Sequence, residues 1–165
     1  MSFAAALLPE FEQEMASTRS VLERIPDDKF EWQAGPKFHT IGWNANHLAE
    51  IPGWMAGTVG SDSWDIAPAN GPRYETPKLQ TAKEVVALFD KNVAEARSAL
   101  ASLKDEAVGR IWSLAKAGQV MFSMPKGAVI RTFLMNHLIH HRAHLIVYLR
   151  LNGVTVPGMY GPGGE

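Results

Sequence analysis

From Pro125 to Gly153 the chain carries one long helical pattern that is apolar almost all the way round, and this segment limits the folds open to it. Ile130, Leu134, Leu145 and Tyr148 fall on one side, while Met135, Leu138, Ile139 and Ile146 fall on or toward another. A helix of that kind has to be buried on more than one face. It is not a membrane span, which needs roughly 18 or more uncharged apolar residues. Residues 129–151 carry three arginines and four histidines, so the segment reads as a core helix that needs other helices around it.

Three further segments can supply them. Leu7, Phe11, Met15, Thr18, Leu22 and Ile25 recur at alternating spacings of three and four, which marks one buried stripe ended by Pro26-Asp27-Asp28. A second helix is expected from about Ile41 to Gly57, with Thr40 as its N-cap and Pro52 as a kink. The third opens at Thr81-Ala82-Lys83-Glu84, a capping-box pattern, and continues through Val85, Phe89, Val93, Ala96, Leu100 and Leu103. Pro125 suits the first turn of the fourth, and Asn152-Gly153 suits its end.

Between these segments, residues 58–79 are rich in Gly, Ser, Pro and Asp and read as one long irregular connection. Connections of that length often serve a site or an interface, and the sequence leaves open whether this one forms a lid. Ile111-Trp112-Ser113-Leu114 and Val120-Met121-Phe122 flank Lys116-Ala117-Gly118 as a hairpin would. The tail from Val154 to Glu165 is Pro- and Gly-rich and has no core of its own. The expected fold class is all-α: an antiparallel four-helix bundle with a long connection between helices two and three and a small hairpin-like segment before helix four. One domain spanning 1–165 is expected. The second apolar face of helix four points to a homodimer packed along it.

Charge and cysteine usage narrow the function classes. With 16 basic against 17 acidic residues the formal net charge is −1, and no Lys/Arg cluster marks a nucleic-acid surface. The chain has no cysteine, which removes disulfides, thiolate metal sites and a cysteine nucleophile together. Any thiol chemistry must then bring its thiol with a substrate or cofactor. The opening residues lack a basic n-region and carry too short an apolar stretch for a secretory signal, so a cytoplasmic location is expected.

Four of the six histidines fall within eight residues, in Asn136-His137-Leu138-Ile139-His140-His141-Arg142-Ala143-His144. At about 100° per residue, His137, His141 and His144 lie within roughly 60° of arc, with His140 at the margin. Residues four apart on a helix stand about 6 Å apart at Cβ, from where two imidazoles can converge on one ion. A third ligand has to come from another helix. His47, mid-helix among Trp43, Leu48, Ile51 and Trp54, is the candidate. The residues alone leave a second reading open, in which the cluster is a partly exposed, pH-responsive group at an interface.

The chain resembles the DinB-like bundles, which include the YfiT-type proteins. Three places carry the likeness: Thr40-Ile41-Gly42-Trp43-Asn44-Ala45-Asn46-His47-Leu48-Ala49-Glu50, Asn136-His137-Leu138-Ile139-His140-His141-Arg142, and the ending from Tyr148 through Asn152-Gly153 to Pro162. Trp112-Ser113-Leu114 extends the likeness over essentially the whole chain. The resemblance implies a four-helix bundle, commonly homodimeric. It also implies a divalent ion held by one histidine of helix two and an i,i+4 pair of helix four, positions that here are His47, His137 and His141. His144 stands where many relatives carry glutamine, and could add a ligand or tune the surroundings.

Three neutral histidines with open coordination positions describe a reactive metal site rather than a closed structural one. All-histidine ligation suits Zn or Ni, with Fe or Cu as alternatives. Glu50, one turn after His47, could orient a ligand or act as a general base, or be an ordinary solvated carboxylate. Asn44 and Tyr148 are further candidates for orienting the ligands. Trp43 and Trp54 could wall a small-molecule pocket or be plain core. The reading that follows is a metal-dependent transferase acting with a low-molecular-weight thiol, as in some members of the resembling family. The alternatives are a hydrolase using a metal-bound water, and a non-catalytic metal-binding protein of the stress response. No nucleic-acid or membrane partner is expected.

Overall fold

A computed structural model describes residues 1–162; Gly163, Gly164 and Glu165, the end of the expected tail, lie outside the described residues. Helix α1 (Phe3–Leu22) begins where the Ser2 hydroxyl accepts the backbone N–H of Ala5. It buries the expected stripe of Leu7, Phe11, Met15, Thr18 and Leu22. Helix α2 (Ile41–Glu50) starts at Thr40, whose hydroxyl accepts from Trp43 N–H at 3.0 Å. Its first turn docks tightly on the preceding segment: Gly42 N–H donates to the Phe30 carbonyl at 2.8 Å. A Cβ at Gly42 would stand 2.9 Å from that oxygen, so only glycine fits there.

At Pro52 the structure goes further than the expected kink and divides the helix expected over residues 41–57 in two. Pro52 lies in a 3₁₀ turn over Ile51–Gly53, after which the chain resumes as α3 (Trp54–Gly60). Asn92 donates its amide to the Ala49 carbonyl at 2.8 Å, which satisfies an oxygen near the interrupted end. Asn92 belongs to α4 (Ala82–Ser102), which opens with the full capping box of Thr81 and Glu84. A one-turn helix α5 (Asp105–Val108) leads toward the hairpin. The fourth long helix is built in three parts: α6 (Lys126–Ala128), a π-helical stretch over Val129–Asn136, and α7 (His137–Leu151).

The expectation of an all-α chain is corrected by a three-stranded sheet. Strands β2 (Ile111–Lys116) and β3 (Gln119–Pro125) form the antiparallel hairpin, and β1 (Ser63–Asp65) pairs in parallel with β2 through Trp64 and Leu114. The hairpin turns at Ala117 and Gly118, with φ of 51° and 77°. A two-residue loop with positive φ at both positions matches the twist of its strands. The Asp65 carboxylate accepts the backbone N–H groups of Ala67, Ala117 and Gly118 at 2.7–3.0 Å, tying β1 to that turn. Residues 58–79 are thus not wholly irregular, since they contain the end of α3 and the strand β1.

The four long helices pack around a core that includes Phe11, Leu22, Ile41, Leu48, Phe89, Leu100, Ile130 and Leu145. The described part of the tail docks on this core, with Val156 2% exposed. The Tyr160 hydroxyl, in the tail, donates to the carboxylate of Glu14 on α1 and accepts from Arg142 on α7. Arg142 and Glu14 form a buried ion pair at 2.6 Å, and Arg142 also donates to Thr18. No helix among the described residues is long and apolar enough to cross a membrane.

Candidate metal centre

Helices α2 and α7 lie against one another, and the histidines singled out in the sequence face each other across that contact. His47 is buried in α2, at 6% exposure. His137 opens α7, and His141 follows one turn later, both half-buried. The Nε2 of His137 stands 3.3 Å from the Nε2 of His47 and 3.0 Å from the Nε2 of His141. One ring nitrogen from each of the three lies within 4.8 Å of the other two.

The opposite nitrogen of every ring meets an oxygen. Nδ1 of His47 donates to Oε1 of Glu50 at 2.7 Å. Nδ1 of His137 donates to the Phe133 carbonyl, and Nδ1 of His141 to Oδ1 of Asn44, each at 3.3 Å. Asn44 uses its amide nitrogen on the Thr40 carbonyl at 2.9 Å, which fixes its oxygen toward His141. Because each Nδ1 has an acceptor, each neutral ring keeps its proton there and presents a lone pair at Nε2.

Lone pairs aimed at one another over such distances repel unless something positive stands between them. Imidazole nitrogens bound at 2.0–2.1 Å, at angles between right and tetrahedral, lie about 2.9–3.4 Å apart. The two separations at His137 fall in that range and all three nitrogens lie within 4.8 Å of one another, so the three-histidine cluster could hold a divalent ion. Neutral nitrogen donors do not select among Zn, Ni, Fe and Cu.

Burial pushes the imidazolium of His137 down to about 4, with the neighbouring His47 and His140 adding to the effect. Burial likewise pushes His141 down to about 3, reinforced by His47, His137, His140 and His144. Both rings therefore stay neutral, the form that ligates metals, into mildly acidic conditions.

Other residues named from the sequence take different places. His144 is exposed and outside the converging set, its ring 4.2 Å from that of His140. Glu50 lies on the Nδ1 side of His47, behind the ligand nitrogen, and Tyr74 donates its hydroxyl to the same carboxylate oxygen. Tyr148 packs edge-on against Trp32 in the core. Trp43 and Trp54 are both half-buried beside the triad. Trp43 stacks on His47 at 4.6 Å between centroids, and Trp54 lies 5.5 Å from His47 and 5.7 Å from His137.

Sequence reasoning missed three participants. Tyr74 comes from the long connection, and nothing in the pattern around it distinguishes it from any loop aromatic. Asn46 pairs both ways with the backbone of Leu79, at 2.9 Å for each bond, and so pins the connection onto α2. The Phe133 carbonyl belongs to the π-helical stretch and lies one turn before the His137 ring it accepts from.

Comparison with known proteins covers the whole chain. The profile of the DinB family matches residues 1–165. The curated protein YrdA of Bacillus subtilis (strain 168) is 27% identical over 158 residues, covering 96% of this chain and 88% of that protein. The crystal structure of a DinB-like protein from Bacillus cereus ATCC 10987 superposes with a TM-score of 0.71 at 26% identity, over 93% of this chain and 95% of that one. A DinB-like protein of Bacillus subtilis, YjoA, matches with a TM-score of 0.70 at 17% identity, over 96% and 99% of the two chains, which speaks for the fold alone.

Proposed function

The chain belongs to the DinB family, and from that premise we propose that it is a metal-dependent enzyme, best read as a transferase acting with a low-molecular-weight thiol. His47, His137 and His141 would hold the ion, and Zn, Ni, Fe and Cu are all compatible with three nitrogen donors. The observation that carries the reading is the convergence of three Nε2 atoms, at 3.0 and 3.3 Å from His137, with every Nδ1 anchored on an oxygen. When bound, such an ion supplies Lewis acidity, which favours the deprotonated form of a thiol or water beside it.

The chain's own residues would supply position and shelter. Glu50 is a positioning residue in this reading: it fixes the His47 tautomer and strengthens that ring as a donor. Asn44 does the same for His141, and Tyr74 holds the Glu50 carboxylate in place. Trp43 and Trp54 cover two sides of the triad and limit water there. The chain has no cysteine, so a thiol nucleophile would have to come with the substrate.

The test is metal analysis of the purified protein, followed by a thiol-plus-electrophile conjugation screen on wild type and His47→Ala. One ion per chain and thiol-dependent conjugation lost in the variant are the expected results. Hydrolysis that proceeds with no thiol would replace the transferase by a hydrolase, and bound metal with neither activity would leave a non-catalytic metal-binding protein. A cytoplasmic location and a homodimer through helix four complete the proposal.

A further inference from the structure

His140 and His144 stand one turn apart on the exposed side of α7. Their ring centroids lie 4.2 Å apart. Two imidazoles that share an ion at about 2.0–2.1 Å, at angles between right and tetrahedral, have centroids about 4.5–5.2 Å apart. The triad rings meet that spacing, at 4.6–5.0 Å, and His137 with His141 has the same four-residue offset on the same helix. His140 and His144 need to open by about 0.3 Å to enter the range, a small rotation for exposed side chains.

Among the described residues, every hydrogen bond to a histidine ring belongs to the triad, so the nitrogens of His140 and His144 are uncommitted. The His141 ring lies close to both, at 5.1 and 5.8 Å between centroids. Its own nitrogens are spoken for, Nδ1 by Asn44 and Nε2 by the triad. The outer pair therefore has to act without it, and exposure leaves water to fill the rest of a coordination shell.

We propose that His140 and His144 chelate a second divalent ion of the later transition series (zinc, nickel or copper), separately from the triad. Imidazole nitrogen suits those metals, whereas magnesium and calcium take oxygen. With two nitrogens in place of three, and no oxygen fixing either ring, the outer site binds more weakly than the triad. Its ion is lost in gel filtration, and the purified chain keeps the triad ion alone. The outer site needs no metal in the triad and no catalytic activity.

The experiment titrates zinc chloride at neutral pH into the metal-free, ¹⁵N-labelled full chain, made without a histidine tag, and follows the histidine ring nitrogens. The first equivalent should move the signals of His47, His137 and His141. Further zinc should move those of His140 and His144 together along one saturation curve, and magnesium chloride should move neither. His140→Ala and His144→Ala are surface changes that leave the fold intact. Each should abolish the response of the remaining outer ring and leave the first event unchanged. In His137→Ala the outer pair should still respond.

Outer rings that stay still, or only one of them titrating, would overturn the proposal. So would an outer response that survives loss of its partner. A weakened first event in His144→Ala would make that residue a ligand of the triad ion and overturn the separate site. A contact between copies that sealed the pair from solvent would silence both rings and equally remove the site. Outer binding with an unresponsive triad keeps this site and removes the metal centre; the reverse keeps the metal centre and removes this site.

Discussion

Glu50 Oε1 lies 2.7 Å from Nδ1 of His47, three residues earlier on the same helix, so one α2 side chain determines which nitrogen of the other is free. Glu50→Ala should therefore weaken zinc binding by about 10- to 100-fold, the usual loss when a ligand's anchor is removed. Glu50→Gln, which keeps an acceptor without the charge, should fall between Ala and wild type. Competition against a chromogenic chelator measures both. Equal affinity in all three proteins would show that Glu50 does not act through His47.

Removal of a ligand should differ sharply from removal of a neighbour. His137→Ala and His141→Ala should each reduce bound metal from about one ion per chain to near zero at micromolar protein. His144→Ala should retain it, because His144 stands apart from the converging nitrogens. Elemental analysis after gel filtration decides, and loss of metal in His144→Ala would add a fourth ligand.

The buried pair of Arg142 and Glu14 should dominate the stability of the tail's docking site. Glu14→Ala leaves the Arg142 charge, 2% exposed, without its partner, and should cost about 3–5 kcal/mol in urea unfolding. Tyr160→Phe removes only the hydroxyl that bridges them and should cost about 1 kcal/mol. A Tyr160→Phe loss as large as that of Glu14→Ala would contradict the assignment of the ion pair as the main element.

The hairpin should loosen in acid. Backbone N–H groups of Ala67, Gly118 and Ala117 hold the Asp65 carboxylate below its ordinary value of 3.8. A carboxylate depressed in the folded state contributes stability above the unfolded value, and that contribution is lost as pH falls through the folded value. Protection of the Ala117 and Gly118 amides, measured against the intrinsic exchange rate at each pH, should fall below about pH 4 in wild type, in the ordinary carboxylate range. In Asp65→Ala the protection should be low at every pH. Wild-type protection that stays constant across this range would separate Asp65 from the turn.

The proposed homodimer predicts a mass near twice 18.1 kDa by light scattering at micromolar concentration. Val147 and Leu151, exposed on α7 at 53% and 64%, are the apolar residues such a contact would cover. Val147→Glu with Leu151→Glu should return the protein to monomer.

What the sequence could disclose follows from which interactions are local. The stripe of α1, the Thr81–Glu84 capping box and the Pro52 break each depend on residues within a turn or two, so spacing alone reveals them. His137 and His141 are legible for the same reason, and His47 because an imidazole among apolar neighbours needs a partner. Strand β1 was not legible: Ser63-Trp64-Asp65 becomes a strand only by pairing with residues about fifty positions later. The links from Tyr74 to Glu50 and from Tyr160 to Arg142 are long-range in the same sense. The π-helical stretch changes the turn without changing the pattern of apolar residues, so periodicity does not register it.

The interruption at Pro52 has a consequence for how this protein could change. The 3₁₀ turn of Ile51–Gly53 joins the helix that carries His47 to the one that carries Trp54, and the two rings stand 5.5 Å apart. A single substitution that restores regular helix there, such as Pro52→Ala, would turn and shift Trp54 and the rest of α3 relative to His47. Variation in specificity could then arise from one hinge position, with no ligand and no wall residue exchanged.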